Sequence, residues 1–385
     1  MIPYAKQSIS EEDILAIQTI LHSDWLTQGP TIERFEKSVT DYCGAKYGVA
    51  ISHGTSALHL SCLSLGLAPG DVLWTSTNTF VASANCALYC GASVDFVDID
   101  PKTYNMCPHA LAKKLEQAKR KGKLPKIVIP VHFSGQTCDM RAIKHLASEY
   151  HFSIIEDASH AIGASYLKTK TGSSFYSDIT IFSFHPVKLI TTGEGGMALT
   201  NQPDLYQKLT LLRSHGITRN PAHMIGPIDG DWYYQQTALG YNYRMTDIQA
   251  ALGISQLKQL DKFIERRRYL AKRYTNELQN LALILPWQHQ KGKSAWHLYV
   301  IQVKDSTKRQ EVFNQLRASG INVNVHYIPV HTQPFYQQLG FKRGEYPHAE
   351  QYYQRAISLP LYYSLSDKEQ DFVIKNIKEI FKKIK

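Results

Sequence analysis

The chain has 385 residues, of which 43% are hydrophobic and 20% charged, and its formal net charge is +10. This composition is typical of a globular protein, and the length suffices for one large domain and a smaller one. No apolar run is long enough to span a bilayer and the N-terminus has no signal-peptide pattern, so we expect a cytoplasmic protein with no membrane partner.

Basic residues cluster in three places, each on a helical pattern that also has an apolar face. No helix-turn-helix, zinc-finger or ribonucleoprotein motif accompanies them, so we interpret them as solvated helix faces and expect no nucleic-acid partner. A small anionic substrate would suit a basic protein equally well. The clusters are Lys113–Lys123, Arg266–Arg268 and the tail from residue 375 to 385.

The six cysteines give no sign of a metal centre. They include no C-x-x-C pair, and no Cys/His group has zinc-finger spacing. We therefore expect reduced structural thiols and no metal site.

Strand and helix patterns alternate through the first two-thirds of the chain. Such alternation predicts an α/β fold, with a mainly parallel sheet that has helices on both faces and ligands at the carboxyl ends of the strands. The predicted strands are Tyr47–Ser52, Val72–Ser76, Ser93–Ile99, Lys126–Phe133, Phe152–Ser159, Ile179–His185 and Met197–Thr200. The predicted helices are Gly54–Leu67, Phe80–Tyr89, His109–Lys121, Met140–Tyr150 and Asp204–Arg213.

The last third of the chain predicts a smaller α/β domain. A long helical pattern from Thr246 to Tyr274 connects the two parts, after a Gly- and Pro-containing stretch, Asn220–Gln236, that we interpret as a functional loop. We expect a large domain over residues 1–250, in which residues 1–30 contribute to the substrate site, and a small domain over residues 251–385. Its predicted elements are the strands His297–Val303 and Ile321–Tyr327 and the helices Thr307–Ala318 and Asp367–Lys385.

Polar residues stand at three of the predicted strand ends. Gly54, Thr55 and Ser56 open a helix and could hold a phosphate, although simple helix capping explains them equally well. Asp157 closes a strand and is either a ligand-facing carboxylate or a surface one. Lys188 precedes the glycine-rich turn GEGG and is either an ordinary loop lysine or an amine in a dry site.

These three features, in this chain order, are what a pyridoxal phosphate (PLP) site needs. A lysine forms a Schiff base with the aldehyde, a carboxylate keeps the pyridine nitrogen protonated, and a helix N-terminus anchors the phosphate. A dry environment would lower the pKa of the lysine, so that more of its amine is neutral near pH 7. The sequence therefore predicts a PLP enzyme.

Seven segments carry a resemblance to a known family. The sequence resembles the sugar aminotransferases of the DegT/DnrJ/EryC1/StrS family, which are fold-type-I PLP enzymes, and the resemblance covers nearly the whole chain. The segments are Leu26–Glu36, Gly54–Leu60, Thr79–Asn85, Glu156–Ala164, Phe182–Gly196, Arg213–Gly216 and Gly240–Gly253.

The resemblance implies roles for residues around the cofactor. Lys188 matches the catalytic Schiff-base lysine and Asp157 the partner of the pyridine nitrogen. His160 stands where many relatives have Gln, beside the ring hydroxyl of the cofactor. The other implied cofactor contacts are Gly54, Thr55, Ser56 and Ser183 at the phosphate, Phe80 against the ring, and Asn242, which reaches the phosphate of the neighbouring subunit of a homodimer.

The resemblance also implies a substrate. The segments SDWLTQGP, EDASHA, SFHPVK and VHYIPV indicate the pseudaminic acid branch, whose enzyme aminates C4 of a UDP-linked 4-keto-6-deoxy-N-acetyl sugar. L-Glutamate is the implied donor, and pyridoxamine phosphate forms between the two half-reactions. The implied substrate contacts are Tyr4, Asp24, Trp25, Leu26, Thr27, His326, Tyr327, Ile328 and Pro329.

Other activities remain open at this stage. The substrate could be another 4-keto or 3-keto sugar linked to UDP or dTDP. A sugar dehydratase of the same family would have His in place of Lys188, and a regulatory protein on this fold would be expected to carry a DNA-binding domain and to lose Lys188 or Asp157.

Overall fold

The computed structural model describes residues 1–384, so Lys385, the predicted end of the last helix and of the small domain, lies outside the described residues. No helix in this range is long and apolar enough to cross a membrane. The helices are α1 (Glu11–Leu21), α2 (Pro30–Cys43), α3 (Gly54–Ser64), α4 (Ala82–Tyr89), α5 (Pro108–Arg120), α6 (Met140–Tyr150), α7 (Pro203–Arg213), α8 (Asp247–Leu278), α9 (Arg309–Ala318), α10 (Pro334–Gln338), α11 (Pro347–Arg355) and α12 (Asp367–Lys383).

Seven strands form one large sheet in the order β1-β9-β8-β5-β4-β2-β3, which is parallel except where β9 pairs with β1 and β8. The chain also forms shorter strands outside this sheet. All strands, in chain order, are β1 (Tyr47–Ile51), β2 (Val72–Ser76), β3 (Ser93–Val97), β4 (Ile127–Ile129), β5 (Ser153–Asp157), β6 (Ser165–Tyr166), β7 (Thr169–Lys170), β8 (Ile179–Ser183), β9 (Gly196–Thr200), β10 (Ile217–Thr218), β11 (Gln235–Gln236), β12 (Leu283–Ile284), β13 (Gly292–Lys293), β14 (Tyr299–Val303) and β15 (Ala356–Leu359).

Both faces of the large sheet are buried by helices. Along β4, Ile127 and Ile129 pack on one face while Val128, between them, packs on the other. The first face is covered by α3, α4 and α7, and the second by α2, α5, α6 and the first half of α8. The predicted mainly parallel sheet with helices on both faces is confirmed. Because helices cover both faces, side chains on both sides of each strand are buried, and the strands appear in the sequence as continuous apolar runs.

A second core forms around a smaller antiparallel sheet, β12-β14-β15. The second half of α8 packs against it together with α9 and α12, through residues such as Tyr274, Leu316 and Ile377. The long helix α8 therefore contributes to both cores, as the sequence predicts. The exact domain division at residue 250 stays a prediction.

Two predicted strands differ from the structure. Lys126–Phe133 shortens to β4 because Pro130 lacks an N–H group and ends the regular pairing. Ile321–Tyr327 is not a strand: Val325 N–H bonds to the side chain of Asn324 and Tyr327 N–H to the side chain of Asn78, so these donors do not reach a neighbouring strand. Helices α1, α2, α10 and α11 are not among the predicted elements.

Candidate active site

The polar residues predicted at the strand ends lie at the carboxyl edge of the large sheet. The strands β1, β5 and β8 run in the same direction, so their last residues and the loops after them share this edge. Gly54 and Lys188 follow β1 and β8, and Asp157 ends β5. The structure therefore brings the predicted lysine, carboxylate and helix N-terminus to one edge of the sheet.

The N-terminus of α3 is open. Its N-cap residue, His53, makes no side-chain cap, and the first backbone bond runs from Ala57 N–H to the His53 carbonyl. The amides of Gly54, Thr55 and Ser56 precede that bond and are available to a ligand, where the helix dipole favours an anion.

Two glycines permit the close approach of strands to this helix. A Cβ on Gly54 would lie 2.9 Å from the Cβ of Ser183, at the end of β8, and a Cβ on Gly196 would lie 2.5 Å from the His53 carbonyl oxygen. A larger residue at either position would displace the N-terminus of α3. The GEGG turn predicted from the sequence therefore allows β9 to pass beside the open N-terminus of the helix.

Asp157 is fixed by hydrogen bonds at both carboxylate oxygens. Ser83 Oγ, on α4, donates to Oδ2 over 2.6 Å, and the Ser159 N–H donates to Oδ1 over 3.1 Å. The side chain is only 6% exposed. Its carboxylate is thus held in one orientation, as required of a group that pairs with a pyridinium nitrogen.

Lys188 lies in the loop between β8 and β9 and is partly buried. Burial lowers the pKa of its amine to about 8, against the opposing effect of the nearby Asp157 charge. Because burial partly dehydrates the amine and outweighs the effect of the Asp157 charge, more of the amine is neutral, and therefore nucleophilic, near neutral pH than in a surface lysine.

Phe80 presents an aromatic surface at this edge. Its side chain is 58% exposed, which is high for a large apolar residue, and its ring centroid lies 6.4 Å from that of Tyr327. An exposed phenyl at this edge could cover the face of a planar ring bound there. This position suits the predicted contact with the cofactor.

His160 is buried and uses both ring nitrogens. The Ser134 N–H donates to Nδ1 over 3.3 Å, and Nε2 lies 3.1 Å from the hydroxyl of Tyr327. Burial, the charge of Lys188 and the neighbouring His326 lower its pKa well below the usual value. The ring is therefore neutral near pH 7.

The predicted substrate contacts fall into two groups. In the first group, Tyr4 lies beside His326, with ring centroids 5.4 Å apart, and Tyr327 lies beside His160, so these residues join the site. Next to them in the chain, Ile328 is exposed and Pro329 is buried. The other group, Asp24–Thr27, is exposed and lies at the N-terminus of α8, where the Asp247 N–H donates to the Leu26 carbonyl.

Asn242, predicted to reach the phosphate of a neighbouring subunit, is exposed. Its backbone pairs with that of Ser214. The next residue, Tyr243, accepts a hydrogen bond through its carbonyl from the N–H of Ser52, just after β1. In the described residues Asn242 has no hydrogen bond to Thr55 or Ser56.

Several site residues are absent from the sequence analysis. Ser83 holds Asp157, and the buried His297 ring packs 4.3 Å from His160. Ser83 lies in the segment TFVASAN, three residues after Phe80, so the spacing of one helical turn indicates that both side chains could face the same site. His297 lies just before β14, 137 residues after His160, and no local pattern connects the two. Among residues 1–384, no group of His, Cys, Asp or Glu is arranged to hold a metal ion.

The family of the chain follows from a comparison with known families. The model of the DegT/DnrJ/EryC1/StrS aminotransferase family matches residues 7–378. The chain belongs to this family.

Relatives with known names are similar over nearly their whole length. The spore coat polysaccharide biosynthesis protein SpsC of Bacillus subtilis is 41% identical, covering 99% of this chain and 97% of its own. A UDP-4-amino-4,6-dideoxy-N-acetyl-beta-L-altrosamine transaminase of Campylobacter jejuni is 36% identical, covering 100% and 99%. A GDP-perosamine synthase of Caulobacter vibrioides is 35% identical, covering 94% and 93%.

Solved structures show the same fold. Helicobacter pylori PseC, an aminotransferase involved in the biosynthesis of pseudoaminic acid, has a TM-score of 0.91 at 29% identity and covers 99% of both chains. Spr1654 of Streptococcus pneumoniae in its PMP-form has a TM-score of 0.92 at 28% identity and covers 100% of both. The predicted fold of the PLP-dependent sugar aminotransferases is confirmed.

DegT/DnrJ/EryC1/StrS aminotransferases use PLP, and the residues described above fit it. The open end of α3 suits the phosphate, the fixed Asp157 carboxylate suits the pyridine nitrogen, and Lys188 is the partly dehydrated amine that the aldehyde requires. The chain is therefore a PLP-dependent sugar aminotransferase.

Proposed function

We propose that this enzyme aminates C4 of UDP-2-acetamido-2,6-dideoxy-β-L-arabino-hex-4-ulose, with L-glutamate as donor, in the biosynthesis of pseudaminic acid. The observation that supports this substrate is the 36% identity to the Campylobacter jejuni altrosamine transaminase over the full chain. The alternative is another 4-keto or 3-keto nucleotide sugar, and the 35% identity to a GDP-perosamine synthase supports it.

The residues of the site divide the work of amino transfer. PLP, when bound, supplies an electron sink that stabilises negative charge on the carbon that loses a proton. Asp157 would keep the pyridine nitrogen protonated, and the amides of Thr55 and Ser56 would hold the phosphate together with Ser183. Lys188 would move the proton between the substrate carbon and the cofactor as general base and acid, since its pKa of about 8 lies near the working pH.

The nucleotide sugar would be held by the two groups of predicted substrate contacts. Tyr4, His326 and Tyr327 form a connected group that reaches His160, and the reacting ketone would lie beside it. Trp25, 54% exposed, and its neighbours in Asp24–Thr27 would bind the parts of the substrate remote from the ketone. Binding energy from the remote nucleotide can then be used to position the ketone carbon.

We propose that two copies of the chain complete each other's sites. Asn242 is exposed and would bind the phosphate in the partner's site. It follows the loop Asn220–Gln236, on and beside which Ile225, Trp232 and Leu239 are 71–81% exposed. Apolar side chains concentrated on one loop are typical of a surface that another chain covers. A cytoplasmic location and the division into domains 1–250 and 251–385 remain part of this proposal.

The visible absorbance spectrum of the purified protein tests the first half-reaction. We expect a band from bound PLP that L-glutamate bleaches, and no such band in a Lys188→Ala control. A protein that gains no band with added PLP would contradict the assignment of Lys188.

A panel of keto sugars tests the substrate. The enzyme would be coupled to dehydratases that generate UDP-, dTDP- and GDP-linked keto sugars, and the aminated products would be measured by mass spectrometry. Amination of the UDP-linked sugar alone supports the proposal. Amination of only a dTDP- or GDP-linked sugar would overturn the substrate while leaving the aminotransferase activity intact.

A further inference from the structure

The loop between β2 and α4, residues 77–81, carries groups that fit the cofactor. It follows β2 at the carboxyl edge of the large sheet, and it presents the exposed ring of Phe80. Thr79 Oγ1 lies 2.9 Å from Ser83 Oγ. Ser83 in turn donates to Asp157, the carboxylate that suits the pyridine nitrogen. The second half of this loop therefore belongs to the cofactor part of the site.

The first half of the same loop holds the segment His326–Pro329, which we propose to contact the sugar. The Tyr327 N–H donates to Asn78 Oδ1 over 3.2 Å. Just after the segment, the Val330 N–H donates to the Thr77 carbonyl over 3.0 Å. Both donors are thus held by the β2–α4 loop and not by a neighbouring strand.

The amide of Asn78 has one orientation that satisfies both of its partners. Besides accepting from the Tyr327 N–H, it donates through Nδ2 to the Tyr104 carbonyl over 3.3 Å. A flipped amide would place a donor against the N–H and an acceptor against the carbonyl. The side chain is only 1% exposed, so bulk water does not replace either bond. Asn78 therefore fixes the position of Tyr327 relative to the loop.

Tyr104 extends this hold to the other end of the same peptide group. Its ring centroid lies 4.5 Å from that of Tyr352, and the Tyr352 hydroxyl donates to the His326 carbonyl over 2.9 Å. The carbonyl of His326 and the N–H of Tyr327 belong to one peptide group. Side chains therefore hold both polar atoms of this group, and Asn78 contacts one directly and the other through two packed tyrosines.

This arrangement makes the spacing of the two parts of the site depend on Asn78. Phe80 lies two residues after Asn78, and its ring centroid is 6.4 Å from that of Tyr327. One short loop thus carries a ring of the cofactor part and holds a ring of the substrate part. A displacement of about 1 Å between reacting groups can lower a rate about 100-fold, so such a spacing matters for amino transfer.

We propose that Asn78 is a positioning residue of the sugar half-reaction, which holds the His326–Tyr327 peptide, and with it the keto sugar, at a fixed distance from Phe80. The inference rests on the proposed role of His326–Pro329 in substrate binding and not on the identity of the sugar. It is tested with the keto sugar that the wild type aminates, so a failure of the UDP assignment leaves the test intact.

An Asn78→Ala variant tests the proposal through the two half-reactions. Because the two substrates react in separate half-reactions, the kcat/KM of each substrate reports on one half-reaction alone. Loss of the buried amide should lower the kcat/KM of the keto sugar about 10-fold or more, while that of L-glutamate stays within about twofold of the wild type. An equal fall for both substrates, or an unchanged value for the sugar, would overturn the proposal.

Asn201→Ala is the matched control. The Asn201 side chain also joins two backbone groups, since it accepts from the Lys46 N–H over 2.9 Å and donates to the Ser173 carbonyl over 2.8 Å. It follows β9, at the opposite end of the sheet from the site. We expect both kcat/KM values of this variant to stay near those of the wild type. A loss for the sugar as large as in Asn78→Ala would show that general loosening of the fold suffices, and would overturn the proposal.

Hydrogen exchange tests the same contact in the cofactor-free protein, without any reaction. The Tyr327 amide should exchange faster in Asn78→Ala than in the wild type and Asn201→Ala, because its acceptor is lost. If Asn78→Ala does not fold, Asn78→Ser is the milder variant, since its hydroxyl can satisfy one of the two partners. A folded Asn78→Ser enzyme with wild-type exchange at Tyr327 and wild-type kcat/KM for the sugar would overturn the proposal.

Discussion

Lys188 is subject to two opposing effects. Burial lowers the pKa of its amine to about 8, whereas the charge of Asp157 raises it, and burial dominates. At pH 7 about a tenth of such amines are neutral, compared with roughly one in three thousand for a lysine with the ordinary pKa. The buried location therefore makes Lys188 a better nucleophile near pH 7 than a solvated lysine would be.

The pH dependence of aldehyde capture by the cofactor-free protein follows from this shift. Only the neutral amine attacks the aldehyde, so the rate of capture should rise with pH and level off above about pH 8. With an ordinary lysine the rate would level off only above the usual, higher pKa of that side chain. Rapid mixing with pyridoxal phosphate across a pH series measures it. In Asp157→Asn the charge that raises the pKa is lost, so the midpoint should move to lower pH; a midpoint above that of the wild type would contradict this account.

Ser83 acts on the chemistry through Asp157. In Ser83→Ala the carboxylate loses a 2.6 Å hydrogen bond and with it part of its fixed orientation. Bonds to charged groups contribute about 1.5–3 kcal/mol, so we expect turnover to fall about 10- to 100-fold. Ser61→Ala is the matched control, since it removes a buried helical hydroxyl that bonds only to the Ala57 carbonyl. Equal losses in both variants would indicate a general effect on folding.

At the scale of elements, local patterns predict whatever depends on neighbours in sequence. The alternation of buried strands and amphipathic helices places β1, β5 and β8 correctly, and with them the ends that carry Asp157 and Lys188. The predicted strand Ile321–Tyr327 fails because its amides bond to the side chains of Asn324 and Asn78. A contact between residues 78 and 327 leaves no periodic trace in the sequence.

The same limit applies to the site. Resemblance singles out His160, but its orientation depends on Ser134, Tyr327 and His297, which come from three other segments. No spacing within the chain predicts that the Tyr327 hydroxyl lies 3.1 Å from His160 Nε2, because the two residues are 167 positions apart and meet only in the folded chain.

Asp247 connects the start of α8 to the start of α2. Its buried carboxylate accepts from the Gly29 N–H over 2.8 Å and from the Thr31 N–H over 2.9 Å, and its own N–H holds Leu26. In Asp247→Ala both donors lose their acceptor, so the free energy of unfolding should fall by about 2–4 kcal/mol. Urea denaturation measures the change.

The exposed segment Asp24–Thr27 should loosen in the same variant. We therefore expect the KM for the nucleotide sugar to rise while PLP affinity stays near that of the wild type. Asp247→Asn keeps one carbonyl acceptor, so its free energy of unfolding should lie between those of the wild type and Asp247→Ala. A lower PLP affinity with an unchanged KM would show that α8 supports the cofactor and not the substrate segment.

At the scale of the whole molecule, Asn242 has no proposed role within a single chain. Within residues 1–384, Asn242 has no hydrogen bond to Thr55 or Ser56, the proposed phosphate-binding residues, and Trp232 and Leu239, shortly before it in the chain, are 71% and 78% exposed. Both features have one explanation if this surface faces a second copy: the loop would be buried and Asn242 would reach the partner's α3. The fold would then bring two sites together across one interface.

Charge placed on this surface should separate the copies. The double variant Trp232→Asp and Leu239→Asp puts two carboxylates where apolar burial is expected, so the mass measured by light scattering should fall from two chains of 43.7 kDa to one. PLP affinity should fall about tenfold or more with it, since a bond from Asn242 to a charged phosphate is lost. Phe335→Asp with Phe372→Asp, at positions 55% and 46% exposed elsewhere, is the matched control and should remain dimeric. A wild-type protein that is monomeric yet binds PLP tightly would show that each site is complete within its own chain, and Asn242 would then have no part in holding the phosphate.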